Sequence, residues 1–174
     1  MLLNMENNSD VHSKTGGEKP RLYETKFSFG ATSGIITTLA LIVGLDHWNN
    51  AKASIIGGIL LIALADNVSD SIGIHVYQES ECLNQKEVWF STLTNFLTRI
   101  LVSLSFIVPL LIFPLKTAVV VAVVWGLFLL SALTYIITRD QRKNPWLAII
   151  EHLAIAAAVI LASSFLGKWI GKYF

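Results

Sequence analysis

Charged residues are scarce in this chain. Only 14% of its 174 residues are Asp, Glu, Lys or Arg, and the formal net charge is +1, whereas soluble domains average about 25% charged residues. A protein that binds nucleic acid needs a clustered basic surface, so this composition argues against nucleic acid as a partner. The mean hydropathy of +0.60 indicates an integral membrane protein instead.

Several familiar signals are also missing. Cys82 is the single cysteine, which excludes an intrachain disulfide and a thiolate metal cluster. No glycine-rich phosphate loop occurs, so nothing indicates a nucleotide site. Residues 1–26 lack the basic start and early apolar core of a cleavable signal. We expect these residues to form a flexible cytoplasmic tail, and we expect no bound cofactor.

What the chain does contain is a series of long apolar runs. Each is long enough to cross a hydrocarbon core of about 30 Å as a helix. They cover approximately residues 27–45, 53–74, 93–113, 117–137 and 146–170. We therefore predict an all-α fold, in which residues 27–174 form a bundle of five transmembrane helices in a lipid bilayer. Pro109 should kink the third helix, because proline lacks a backbone N–H.

The distribution of Lys and Arg predicts the orientation of this bundle. Nine of the basic residues fall on the side of the N-terminus and four on the opposite side. Because cytoplasmic loops carry the excess of basic residues, we expect a cytoplasmic N-terminus and a C-terminus on the other side. The polar segment 75–81, which follows the second run, would then lie on the cytoplasmic side.

The second run is exceptional because carboxylates interrupt it. Asp66 and Asp70 are four residues apart, which places both on one face of a helix. Each Asp near a bilayer centre costs roughly 2.5–3.5 kcal/mol on insertion scales, so packing alone is a weak reason to keep two. Because the two charges repel, we expect at least one of these residues to hold a proton unless a cation neutralises both.

A divalent cation is one candidate for that neutralisation. Its arrival would favour both ionised carboxylates and expel the proton, which couples metal binding to proton release. Oxygen ligands suit Mn²⁺ or Fe²⁺ better than softer ions. The candidate metal-binding residues are Asp66 and Asp70 as principal ligands, Asn67, Ser33 and Thr32 as supporting oxygen donors, and Glu79 and Glu81 as groups at the entrance.

Plainer interpretations stay open. Asp66 and Asp70 could form a buried polar cluster with Ser33 or Thr37 of the first run, and the two entrance glutamates could simply be solvated. An intramembrane aspartyl hydrolase needs two carboxylates that converge on a substrate. Here both acids lie on one helix, without a Tyr-Asp or Gly-x-Gly-Asp context, so we expect no enzyme.

Two further features have simple explanations. Gly30-x-x-x-Gly34 is typical of close helix packing, although a dimer seam is an alternative. Arg99 lies near the start of the third run, so we expect its side chain to snorkel to the membrane interface rather than to form an ion pair. On that expectation, the apolar runs offer almost no basic partner for the two acids.

The first two runs resemble the vacuolar iron transporter family of divalent-metal transporters. Residues 29–44, FGATSGIITTLALIVG, are similar to the family signature G-A-N-D-G-I-V-S-T-F-A-L-V-A-G. Residues 65–79, ADNVSDSIGIHVYQE, are similar without a gap to S-M-A-x-G-E-Y-x-S-V-x-S-Q-x-E. The resemblance extends more weakly from residue 27 to the C-terminus. It implies five spans, a cytoplasmic N-terminus and a homodimer with the ion passage between protomers.

Transferred residue by residue, the resemblance assigns the first-span aspartate to Ser33, the metal-contacting methionine to Asp66 and the second-span glutamate to Asp70. Two of these three positions depart from the family pattern. The segment 75–92 is too short for the glutamate-rich domain that plant and protist members carry there. We expect a short, divergent member located in a prokaryotic cytoplasmic membrane.

Together these observations predict a transporter that exports iron or manganese from the cytoplasm in exchange for protons. The alternative is a membrane protein that retains the fold of the family but has lost the ion site and does not transport. The missing first-span acid and the missing methionine favour this alternative.

Overall fold

The computed structural model describes residues 19–139 and 144–173, with side-chain surroundings from Gly30 onward. That part of the chain is helical and contains no strand, which confirms the predicted all-α class. The helices are α1 (Lys19–Leu45), α2 (Ala51–Leu61), a π-turn (Ile62–Asp66), α3 (Asn67–Ser80), α4 (Gln85–Ser105), α5 (Ile107–Ile112), α6 (Leu115–Arg139) and α7 (Pro145–Tyr173).

These helices form five rods, because α2, the π-turn and α3 are continuous and α5 follows α4 directly. Four rods are long and apolar enough to cross a membrane, with mean hydropathies between 1.6 and 2.4, and α1 contributes the shorter apolar stretch Gly30–Leu45. The protein is therefore a multi-pass membrane protein.

The helices are longer than the apolar runs that predicted them. Polar residues at their ends continue the backbone hydrogen bonding, so the helix bounds are not the bounds of the apolar runs. Of the predicted tail, residues 1–18 lie outside the described residues, while residues 19–26 belong to α1. The predicted disturbance near Pro109 occurs as a break at Phe106, between α4 and α5. The missing N–H of proline explains this break.

α1 is the central helix of the bundle. It runs parallel to α4, since Gly30 lies beside Asn95 and Thr38 Oγ1 donates a 3.4 Å hydrogen bond to Ser103 Oγ. It also contacts α6 and α7. The buried apolar core surrounds the carboxyl-terminal half of α1. It contains Ile35, Leu39, Ile42, Ala51, Ile55, Ile59, Phe106, Leu110, Ala118, Ala122, Leu130 and Ala156.

α1 and α7 approach each other closely near their carboxyl ends. A Cβ atom placed on Gly167 would lie 2.0 Å from the carbonyl oxygen of Gly44. Only glycine fits at that distance, and small residues are the usual device that lets membrane helices approach. The carboxyl ends of α1 and α7 therefore lie at the same end of the bundle.

We expect Gly167→Ala to lower the free energy of unfolding by about 1–3 kcal/mol, because the new methyl group must push α7 away from the Gly44 backbone. Thermal unfolding of the purified protein in detergent, followed by circular dichroism, measures the change. Gly57→Ala is the matched control, since a Cβ at Gly57 would meet nothing within 4 Å. Equal effects of the two substitutions would contradict this account.

Candidate functional site

The site begins with a change of winding in the second rod. Buried residues recur every four positions along this rod. In a regular α-helix, four residues turn by one full turn plus about 40°, so residues with this spacing would gradually rotate away from the bundle. The π-turn has more residues per turn than an α-helix and therefore reverses part of this rotation, which keeps the buried residues facing the bundle. These residues are Ala51, Ile55, Ile59, Ala63, Asn67 and Ser71.

Asn67 connects the π-turn to the neighbouring helix. Its side chain is fully buried. Its Nδ2 donates a 2.8 Å hydrogen bond to the carbonyl of Ala63, inside the π-turn. Its Oδ1 accepts a 2.8 Å hydrogen bond from Arg99 Nε of α4. The amide thus supports the irregular turn with one atom and orients the arginine with the other.

Arg99 is fully buried and binds two acids, Asp66 at the end of the π-turn and Asp70 of α3. Its Nη2 donates to Asp66 Oδ2 at 2.7 Å, and its Nη1 donates to Asp70 Oδ2. The expectation that Arg99 snorkels to the interface is therefore wrong, as is the expectation that the acids lack a basic partner. The Arg99 side chain points toward the second rod, so its guanidinium reaches two carboxylates inside the bundle and does not extend to the interface. We call Asp66, Asp70 and Arg99 the acid–arginine cluster.

The glycines of α1 make room for this arrangement. A Cβ atom on Gly30 would lie 2.2 Å from Asn95 Oδ1 and 3.2 Å from Arg99 Cγ. A Cβ atom on Gly34 would lie 3.7 Å from the Arg99 carbonyl oxygen. Gly30 and Gly34 therefore pack against α4 of the same chain, which agrees with the first of the two explanations considered for Gly30-x-x-x-Gly34.

The cluster lies at the edge of the bundle, with the acids outermost. The side chains of Asp66 and Asp70 are 41% and 35% exposed, whereas that of Arg99 is fully buried. With both carboxylates ionised, two negative charges and one positive charge leave the cluster with a net charge of −1. The same stretch of helix also carries three small exposed residues, Ala65, Ser69 and Gly73.

Polar pairs continue from the cluster along the contact between α3 and α4. Asn95 Nδ2 donates to Ser71 Oγ at 3.2 Å, and Gln78 Nε2 donates to Ser91 Oγ at 2.9 Å. Four of the five buried polar residues of α4 recur every four positions, at Ser91, Asn95, Arg99 and Ser103, and the fifth is Thr98. Sequence reasoning missed this set, although its regular spacing in an apolar run was the signal that could have revealed it.

In the described part of the chain, the other predicted site residues make no hydrogen bond or ion pair with the cluster. Thr32 and Ser33 are half-buried on α1. Neither side chain forms a hydrogen bond with Asp66 or Asp70 in the described part of the chain. Glu79 accepts a 3.2 Å hydrogen bond from Gln85 Nε2 and its carboxylate lies 3.4 Å from His75 Nε2.

Glu81 is exposed just beyond the end of α3. Of the seven predicted ligands, the structure thus brings together Asp66, Asp70 and Asn67. Within the described ranges, no group of three or more His, Cys, Asp or Glu side chains is placed to hold a metal ion. A metal ion bound at Asp66 and Asp70 would therefore need further ligands besides the His, Cys, Asp and Glu side chains of the described ranges.

No family model, curated protein or solved structure matches the chain. The resemblance of the first two spans to the vacuolar iron transporter family therefore stays a prediction that rests on the residues quoted for it.

We expect Asn67→Ala to lower the free energy of unfolding by about 1–3 kcal/mol, because it leaves Arg99 Nε and the Ala63 carbonyl without their partner. Ser69→Ala, two residues along on the exposed side of the same helix, should change it by less than about 0.5 kcal/mol. Thermal denaturation in detergent compares the two variants. A value for Asn67→Ala as small as that for Ser69→Ala would show that the bridge contributes little.

Proposed function

We propose that this protein is a membrane transporter that exports a divalent metal cation such as iron or manganese from the cytoplasm in exchange for protons. The observation that supports this proposal best is the acid–arginine cluster. It combines three ionisable groups inside a membrane bundle with carboxylates that stay accessible from the bundle surface. Ionisable residues at such depth are expensive, and they commonly mark ion or proton pathways.

The exposure of the acids also supports a second copy of the chain as partner. The exposed oxygens of a carboxylate that faced lipid tails would find no water and no counter-ion beyond the Arg99 that both acids share. A protomer docked on the α2–α3 face would cover Asp66 and Asp70, and the small side chains of Ala65, Ser69 and Gly73 would allow a close approach. Two clusters that face each other carry a total charge of −2, which one divalent cation balances.

The basic residues support the orientation of the chain on which the proposed export rests. Because Arg99 is buried in the bundle, it is left out of the count of basic residues at the membrane interfaces. Eight basic residues then lie on the side of the N-terminus and four on the other side, which still favours a cytoplasmic N-terminus. The carboxyl end of α3 then faces the cytoplasm. Glu79 and Glu81 at that end would collect cations before they reach the cluster.

Asp70→Asn should reduce Mn²⁺ flux into proteoliposomes to the level of protein-free liposomes, since it removes one of the two carboxylates that a cation can contact. A pH-sensitive dye in the lumen should lose the accompanying proton signal as well. Asp46→Asn, which changes an acid just beyond the end of α1 and outside the cluster, is the control and should retain flux. Unchanged flux in Asp70→Asn would exclude the proposed role of this residue.

The proposed dimer predicts a specific cross-link. In a Cys82→Ser background, Ser69→Cys should form disulfide-linked dimers in native membranes under mild oxidation, because Ser69 lies beside the acids on the α2–α3 face. Ala157→Cys, which is exposed on α7, should stay monomeric on denaturing gels. Dimers through Ala157→Cys alone would place the interface on the opposite side of the bundle.

A non-transporting membrane protein is the second candidate function. It is favoured by the observation that Arg99 already engages an oxygen of each acid and the oxygen of Asn67. On that view the cluster is a structural link between α3 and α4. Equilibrium binding of Mn²⁺ to the purified protein separates the candidates, since a structural link needs no metal affinity.

A further inference from the structure

Two irregular segments interrupt neighbouring rods at nearly the same depth of the bundle. The second rod contains the π-turn Ile62–Asp66, and the third rod breaks at Phe106. The two rods are antiparallel, and Asn67 lies opposite Arg99. Counting from that pair places the start of the π-turn opposite Leu104, which is about 3 Å along the helix axis from the break. The α3–α4 hairpin therefore joins the rest of the bundle through two adjacent irregular segments.

Regular α-helical hydrogen bonding fails at both of these points. The backbone N–H of Asn67 donates to the carbonyl of Ile62, five residues earlier, and the Asn67 side chain supplies a bond to the Ala63 carbonyl. In the third rod, Pro109 has no N–H to donate to the carbonyl of Ser105, four residues earlier. Prolines and π-turns are the usual places at which helices bend. Both rods can therefore bend at this depth.

The α3–α4 hairpin is held together along its length by polar side chains. Arg99 binds Asn67, Asp66 and Asp70 at the end next to the π-turn. Three further pairs follow, about one helical turn apart. These pairs are Asn95 with Ser71, Thr92 with His75, and Ser91 with Gln78. Because the pairs run along the whole contact, we expect α3 and α4 to move together.

The parts of both rods beyond the irregular segments lie in the apolar core. Ile59 of α2 and Leu110 of α5 are fully buried there. The hairpin, by contrast, packs on the face of α1 that carries Gly30 and Gly34. Glycines present no side-chain ridge that would interlock with α4. A fixed half and a half that can shift along α1 therefore meet at the two irregular segments.

We propose that the α3–α4 hairpin moves as one body about a hinge formed by the π-turn and the break at Phe106. Hinges are commonly a few residues at the ends of regular elements that absorb changes of the backbone angles. The motion carries the acid–arginine cluster intact, because Arg99 holds both acids to α4, and it shifts the cluster relative to α1. The inference needs neither a metal ion nor a second copy of the chain.

Pulsed electron paramagnetic resonance of spin-labelled protein in lipid nanodiscs measures this motion as a distribution of distances. In a Cys82→Ser background, labels at the exposed positions Val76→Cys on α3 and Leu147→Cys on α7 join the moving and fixed parts. Val120→Cys on α6 with Leu147→Cys joins two fixed helices and is the control. We expect a broader distribution for the first pair. Leu93→Cys on α4 with Leu147→Cys should broaden like the first pair, because α3 and α4 move together.

Stiffening either half of the hinge should remove this difference. Pro109→Ala restores a backbone N–H to the third rod. Deletion of Leu64, an exposed residue of the π-turn, returns the second rod to α-helical winding. Either change alone should narrow the Val76–Leu147 distribution to the width of the control pair, so each serves if the other does not fold.

Three results would overturn the hinge. The first is equal widths for the moving and control pairs in the protein with the unmodified hinge. The second is a width that neither Pro109→Ala nor the deletion of Leu64 reduces. The third is broadening for the label on α3 without broadening for the label on α4, which would mean that the hairpin is not one body.

Discussion

A buried guanidinium constrains the rest of this structure. Arg99 keeps its charge inside the bundle, so the surrounding helices must supply both opposite charge and hydrogen-bond acceptors. The π-turn and α3 together supply two carboxylates and an amide oxygen, and the glycines of α1 leave space for the side chains of α4. The acids are in turn acceptable in a membrane because the arginine pairs with them. Each group explains the presence of the others.

The π-turn separates the second rod into two halves with different packing. α2 contributes Ile55 and Ile59 to the apolar core, whereas α3 contacts α4 through Asn67, Ser71 and Gln78. Lipid offers little hydrophobic drive for helices to associate, so polar pairs and close packing hold such bundles together. The change of winding lies at the boundary between these two kinds of contact, and its last residue, Asp66, belongs to the acid–arginine cluster.

The sequence predicted the helices well and their contacts poorly. Runs of about 20 apolar residues identify membrane helices without reference to any neighbour, and the spacing of Asp66 and Asp70 places them on one face by helical geometry alone. The partner of those acids depends on which helices are adjacent and on the direction in which Arg99 points. The π-turn likewise had no local signal, since it depends on the bond from Asn67 to Ala63 and on the packing of both halves.

The connection between α3 and α4 has a consequence for biosynthesis. Only residues 81–84 separate the two helices, so Asp66, Asp70 and Arg99 leave the ribosome in quick succession and can meet as an antiparallel hairpin. Inserted singly, either helix would expose unpaired charge to lipid at considerable cost. Insertion of the hairpin as one unit would bring opposite charges together before either helix has to face the hydrocarbon core alone.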